Sequence, residues 1–225
     1  MTLCHCSGRL IVAIDLISEL QKNPFVLAPM AGITDKPFRS LMKEYNCGAV
    51  ITELVSANGL QYNSEKTKKL MQFDDSQHPI GIQIFGERLD SLGLAAKEIE
   101  DMGADFVDLN FGCPVKKVVS KGAGSAVLKD LVQLRNVLRA VKSSVTIPVT
   151  IKIRTGWDAE SRNADQWPTS PTMRALHGWE SMEGQGPRPT MVKPIGIILN
   201  MLNPSVKYPF LEMGTSIPPK WLTKG

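Results

Sequence analysis

Residues 106–114 read Phe-Val-Asp-Leu-Asn-Phe-Gly-Cys-Pro. An apolar run ends at Asn110, and a cysteine follows between Gly112 and Pro114. A short apolar run bounded by Gly and Pro predicts a strand buried on both faces, over 106–110. Cys113 then lies just past the C-terminal tip of that strand. In parallel α/β folds this edge of the sheet is where ligands bind.

Runs of the same character recur at 25–29, 49–55, 80–85 and 149–154. Between them, amphipathic helices are predicted over 36–45, 65–71, 90–102 and 129–141. Asp90 is expected to be an N-cap and Gly103 a C-terminal stop, with Ser125 or Lys129–Asp130 opening the last helix. The loop after the second strand is long enough to reach over a site. Such alternation means β/α units on a parallel sheet, which a doubly wound fold and a barrel both satisfy. The first strand ends in PMAG (29–32), not in the GxGxxG of a dinucleotide fold. Met30-Ala31, Glu53, Gln83, Asn110 and Lys152 mark successive strand ends. A site built from many strand ends is the habit of a (β/α)8 barrel.

The 225 residues, 43% hydrophobic and 21% charged, fit an ordinary globular domain. No apolar stretch approaches the ~20 residues of a membrane span, so no membrane association is expected. Four cysteines are too few for a disulfide scaffold and suit a reducing cytoplasm. Cys4 and Cys6 have no matching Cys/His pair, so no metal is expected. Cys47, in YNCGAVITE (45–53), reads as a small core residue. The net charge of +4 is uneven: residues 1–166 carry 20 basic and 19 acidic side chains, residues 167–225 carry 6 and 3. The basic pI is therefore poor ground for nucleic-acid binding by the main domain.

Chemistry is expected first at Cys113. A thiol near its reference pKa of about 8.5 is mostly protonated at neutral pH and can donate a proton. As a nucleophile it needs a base, and His5, His78 and His177 all lie outside the strand-end motifs. A small residue buried at a turn is the competing reading. Lys152 interrupts an apolar strand, which is costly unless its charge is used. It either holds an anionic atom or polar ring edge, or snorkels outward. Arg154 adds a second cation on the same side. Gln83, in GIQIFG (81–86), either reads an amide-like ring edge or is hydrogen-bonded in the core. Gly122-Ala123-Gly124-Ser125 reads as a flexible loop before a helix, with a phosphate cradle as the alternative. Lys116, Lys117 and Lys121 form a basic cluster that is either a solvated face or a guide for a phosphate backbone.

PMAGITDKPFR (29–39), ITELVSANGL (51–60), GIQIFG (81–86), DLNFGCPVKKVVSKGAGSAVLKD (108–130) and IKIRTGWD (151–158) together resemble the bacterial tRNA-dihydrouridine synthase family over residues 23–166. Other flavin barrels, such as dihydroorotate dehydrogenase, share the layout without these phrases. The resemblance implies an FMN-binding (β/α)8 TIM barrel in the α/β class. It implies reduction of the uridine 5,6 double bond in tRNA, with NADPH recharging the flavin. By position, Pro29, Met30 and Ala31 would line the flavin ring, and Gln83 and Lys152 would bond its polar edge. Asn110 would contact flavin or uracil, with Lys116, Lys117 and Arg154 toward the tRNA. Cys113 would be the proton donor. The target base must leave its stack to react. Two alternatives are an inactive fragment with residual RNA contact and a different FMN barrel acting on a free pyrimidine.

Residues 1–22 carry no family phrase, and the family pattern stops at Gln166. Five strands are readable where a barrel needs eight. The family's HGRTR and NGD phrases, its phosphate site near strands seven and eight and its C-terminal helical domain are missing. Nine of the fifteen prolines lie in residues 167–225, with no aspartate. Only 195–202 resembles an ordered element there. The tail reads as family sequence in a shifted frame. Joining the third base of each codon to the first two of the next, Trp167-Pro168 forces Ala. Trp179-Glu180, Met182-Glu183, Met191-Val192 and Met213-Gly214 each force Gly. Residues 178–192 can then encode VGVHGRTRAQAYDG, and residues 210–217 can encode LGNGDI. An open five-strand piece is expected to leave unpaired edges, to aggregate, and to bind FMN weakly or not at all.

Overall fold

The apolar runs at Ile80–Phe85, Phe106–Phe111 and Val149–Arg154 form neighbouring parallel strands β6, β7 and β8. The structure, a computed structural model, describes residues 14–154 and Trp157 in full, and the backbone at 5–6, 9–10, 173–180 and 194–201. In chain order, β1 (His5–Cys6) and β2 (Arg9–Leu10) form an antiparallel pair. There follow α1 (Leu16–Lys22), β3 (Val26–Leu27), α2 (Lys36–Glu44), β4 (Ala49–Ile51), β5 (Val55–Ser56), α3 (Ala57–Gln61) and α4 (Glu65–Leu70). After β6 come α5 (Leu89–Asp101), β7, α6 (Lys116–Val119), α7 (Leu131–Ser144) and β8. Last are β9 (Met173–Glu180) and β10 (Pro194–Met201). The main sheet runs β3-β4-β6-β7-β8 in parallel, with β5 also on β6. This is an incomplete (β/α) barrel.

One face of the sheet is apolar. Ile82, Ile84, Val107, Leu109, Ile151 and Ile153 pack with Leu92, Ala96 and Ile99 of α5 and Leu134, Val137 and Leu138 of α7. Each buried Leu, Ile or Val side chain among them contributes about 1.5–3 kcal/mol of hydrophobic stabilisation. Strand alternation sends Gln83, Asp108, Asn110, Thr150 and Lys152 to the opposite face, away from the helices.

At the start of the strands, α1 places Leu16 and Leu20 against Val26, Ala49, Ile51 and Phe106. The ring of Phe106 needs a glycine beside it, since a Cβ on Gly81 would lie 2.1 Å from the ring. Helix α1 is not among the predicted elements. Asp15 caps it, accepting from the Ser18 amide at 3.3 Å.

Several boundaries differ from expectation. The 49–55 run divides into β4 and β5, because the Thr52 hydroxyl accepts from the Gln83 amide (3.2 Å) and donates to the Glu53 carbonyl (3.0 Å). Asp90 is not the N-cap of α5. Arg88 holds that position, and Asp90 lies within the first turn, paired with Arg88 at 2.7 Å. Gly103 ends α5 in the left-handed region (φ +87°). Asp130 opens α7, accepting from Val132 N (2.9 Å) and Gln133 N (3.1 Å).

The expected open edge at β8 is paired. Strand β10 lies antiparallel to it, with Ile195 opposite Ile153 and Ile197 opposite Ile151, and β9 pairs β10. An exposed strand edge is a template for any apolar extended segment, and Ile195–Leu199 is one. An antiparallel neighbour does not continue a parallel barrel.

Candidate functional site

The polar face opposite the helices is built by register. Gln83 pairs with Asp108, Asp108 with Thr150, and Asn110 with Lys152, so these five side chains share one side of β6, β7 and β8. Neighbours in register on parallel strands project together.

Hydrogen bonds connect four of them, all but Lys152, into a chain. The Thr150 hydroxyl donates to Asp108 Oδ1 at 2.5 Å. Gln83 Nε2 donates to Asp108 Oδ2 at 2.6 Å. Asn110 Nδ2 donates to Gln83 Oε1 at 2.9 Å. Asn110 Oδ1 then accepts from the amides of Gly112 (3.2 Å) and Cys113 (2.8 Å). All four side chains are buried.

Cys113 is pinned from its other side too. Its carbonyl accepts from the amide and the hydroxyl of Ser125, each at 3.0 Å. The approach is close because residue 124 is glycine: a Cβ there would lie 2.7 Å from the Cys113 oxygen, and φ is +60°. The Gly122–Ser125 phrase is therefore a packed support whose residues 123–125 are buried, not a flexible loop. Ser125 sits in a short 3₁₀ helix and does not open α7. The thiol itself is half-buried.

Lys152 is half-buried, and among the described residues its ammonium has no hydrogen bond or ion pair. Burial pulls its pKa down, with Asp108 acting the other way. Burial pushes the Asp108 carboxyl up, against the bonds from Thr150 and Gln83 and the charge of Lys152. Arg154 Nε donates to the Gly112 carbonyl at 2.5 Å, so this cation braces the Cys113 turn.

At the other end of the sheet, Pro29 is half-buried while Met30 and Ala31 are exposed. The Met30 carbonyl accepts from Ile33 N (3.1 Å) and Thr34 N (3.0 Å), and Gly32 N donates to the Glu53 carboxylate. Among the described residues, no hydrogen bond joins residues 29–31 to the Gln83–Cys113 chain. Lys116 and Lys117 are exposed on the short helix α6 and lie outside the chain, as does exposed Lys121. Lys129 Nζ sits 3.8 Å from the centroid of the Trp157 ring.

Three contributors went unread in the sequence. Asp108 is an acid in the middle of an apolar strand, a signal of the same kind that marked Lys152. Thr150 shows no such contrast with its β-branched neighbours. Ser125 was read as part of a Gly/Ser phrase and as a candidate helix opening, not as a support for Cys113. Cys47 is buried as expected, its thiol contacting the carbonyls of Phe25 (3.3 Å) and Ala49 (3.1 Å).

What this arrangement offers is a polar strip on the sheet face away from the helices, an ammonium without a partner among the described residues, and a cysteine held at a strand tip. Among the described residues no group of three or more His, Cys, Asp or Glu could hold a metal, and no helix is long and apolar enough to cross a membrane.

Comparison with known proteins places the strip in a family. The sequence model of "Dihydrouridine synthase (Dus)" matches residues 26–167. Proteins named tRNA-dihydrouridine synthase B are similar over a stretch of about the same length. The one from Pseudomonas syringae pv. tomato is 43% identical over 141 residues, 63% of this chain and 42% of its own length. That of Pasteurella multocida is 43% identical over 142 residues, 63% and 43% of the two chains. That of Vibrio parahaemolyticus is 40% identical over 145 residues, 64% and 45%. The chain thus spans less than half the length of these curated relatives. A family match covering well over half of its residues shows that the chain belongs to the dihydrouridine synthase family.

Proposed function

We propose that residues 26–167 form the flavin- and uridine-facing part of a tRNA-dihydrouridine synthase site. The observation that carries this reading is the Gln83–Asn110–Cys113 chain, which ties the backbone of a cysteine at the β7 tip to buried side-chain amides on the sheet face away from the helices. A strip whose Lys152 ammonium has no partner among the described residues suits the electron-rich edge of an FMN ring, and Lys152 and Gln83 would hold it there. Pro29, Met30 and Ala31 would flank the ring from the β3 tip. When bound, FMN supplies the hydride for reduction of a uracil 5,6 double bond, with NADPH as the source of reducing equivalents.

This chain's own residues do the rest. Asn110 keeps the Cys113 backbone in place, and with it the residue that carries Sγ. Cys113 Sγ–H gives its proton to the uracil carbon that does not receive the hydride. Positioned acids of this kind contribute about 10²–10⁴-fold. Arg154 keeps the turn rigid, and Lys116 and Lys117 stand outside it as contacts for tRNA phosphates. The cytoplasm is the matching compartment.

The test is a segment exchange. Residues 26–167 replace the aligned segment of the Pseudomonas syringae relative, and tRNA made in cells lacking their own synthases is analysed for dihydrouridine. A folded exchange protein that yields none defeats the reading.

The chain as it stands is a different matter. The family match ends at residue 167, and β10 closes the β8 edge the wrong way round for a barrel. Residues 167–225 are family sequence read out of frame, supported by the forced glycines and the recoverable HGRTR and NGD phrases. The full chain accordingly binds FMN weakly and retains at most residual RNA contact. The gene's nucleotide sequence decides this, since stop codons in the shifted frame sink the idea.

A further inference from the structure

We infer that Asp108 is a positioning residue that sets the direction of the whole amide chain ending at Cys113. The inference rests on the proposed site only in treating the Cys113 thiol as the reacting group.

The argument is one of donors and acceptors. The far end of the chain is two backbone amides, Gly112 and Cys113, which can only donate. Asn110 must therefore turn its oxygen to them and its NH₂ to Gln83, whose oxygen lies 2.9 Å away. Gln83 must in turn send its NH₂ toward β7, and there it meets Asp108 at 2.6 Å. A carboxylate only accepts. Both ends thus agree on one orientation for two side-chain amides whose oxygen and nitrogen are otherwise interchangeable in shape. With the acceptor at 108 removed, Gln83 is free to turn over. Only the two backbone amides then still favour the original orientation, and a turned-over arrangement becomes easier to reach, in which Asn110 presents NH₂ to the donating amides of Gly112 and Cys113 and the turn opens. Thr150 holds the second oxygen of Asp108 and keeps the first aimed at Gln83.

The account distinguishes an acceptor from a charge. Asp108→Asn keeps an oxygen toward Gln83 while its NH₂ donates to the Thr150 hydroxyl, which can accept. Asp108→Leu keeps the approximate volume and has no acceptor. Gln83→Glu sets acceptor against acceptor, and adding Asp108→Asn restores a donor–acceptor pair.

The experiment is hydrogen exchange on the full chain, without flavin or RNA, read at the Gly112 and Cys113 amides against those of Ile84 and Leu109. Asp108→Leu is expected to speed exchange at both amides about tenfold, the loss of roughly one hydrogen bond, while Asp108→Asn stays within twofold of wild type. An unchanged Asp108→Leu, or an Asp108→Asn as fast as Asp108→Leu, overturns the inference. If Asp108→Leu does not fold, the Gln83→Glu pair decides. Slowing of exchange by the added Asp108→Asn supports the inference, and absence of slowing defeats it. None of these readings depends on flavin or tRNA. Failure here leaves the proposed function standing, and failure of the segment exchange leaves this intact.

Discussion

Asn110 Oδ1 accepts from the Cys113 amide at 2.8 Å, so one strand-tip side chain fixes the backbone that carries the thiol. Asn110→Ala leaves the amides of Gly112 and Cys113 and the oxygen of Gln83 unmatched. We expect a loss of about 1–3 kcal/mol in urea unfolding, and alkylation of Cys113 by iodoacetamide several-fold faster than in wild type. Unchanged alkylation means the bond does not hold the turn.

Two glycines in left-handed conformations make a controlled comparison. Gly124→Ala puts a Cβ 2.7 Å from the Cys113 oxygen at φ +60°, whereas Gly122→Ala meets nothing within 4 Å at φ +80°. Gly122→Ala should cost only its backbone strain, about 1 kcal/mol. Gly124→Ala should cost more, about 2–4 kcal/mol, and should disturb Cys113 reactivity as well. Equal costs would remove the claim that the loop is packed against the cysteine.

Glu100 ties α5 to the turn before β8. Its carboxylate accepts from Thr146 N (2.7 Å), Thr146 Oγ1 (2.6 Å), Ile147 N (3.2 Å) and Lys97 Nζ (2.9 Å). Burial raises its pKa, but these bonds outweigh burial and the net shift is downward. The unfolded state therefore binds the proton more readily. The stability from Glu100 is present above the ordinary glutamate pKa and is lost as pH falls through the lower folded value. Glu100→Gln should cost about 1–3 kcal/mol at pH 7 and flatten the acid limb of the stability profile. An acid limb of unchanged slope counts against it.

On the proposed reading, Lys152 trades stability for binding. Its ammonium is half-buried without a partner among the described residues, and burial lowers its pKa. The unfolded chain holds this proton more tightly, so stability rises with pH between the folded value and the ordinary lysine value. Lys152→Met is expected to raise the midpoint of urea unfolding and abolish that rise. It should also weaken FMN binding in the exchange protein about tenfold or more. A less stable variant with unchanged FMN affinity contradicts the role assigned to it.

Much of this was legible because apolar runs and their bounds are local. The limits of β6 and β8 coincide with the predicted strands, and β7 differs from its prediction by one residue. What was illegible depended on partners distant in sequence. Thr52 ends β4 by bonding to the Gln83 amide on another strand, and nothing near residue 52 announces it. Helix α1 has only Leu16 and Leu20 on its buried side, too few to show a period. In the site, Gln83, Asn110 and Lys152 stood out as polar residues in apolar strands. Asp108 carried the same signal, yet its place between Gln83 and Thr150 needs the register of three strands. Gly124 looked like a flexible-loop residue because its close contact is with Cys113, eleven residues earlier.

The claim at the centre is that Cys113 is the proton donor in uridine reduction. It is tested most directly by single-turnover dihydrouridine formation on unmodified tRNA, with the exchange protein in its reduced flavin form. Cys113→Ala is compared with the unmutated exchange protein at equal flavin occupancy. The account predicts a rate lower by about 10²-fold or more, with FMN affinity and tRNA affinity unchanged. A Cys113→Ala protein that reduces uridine at the unmutated rate contradicts it.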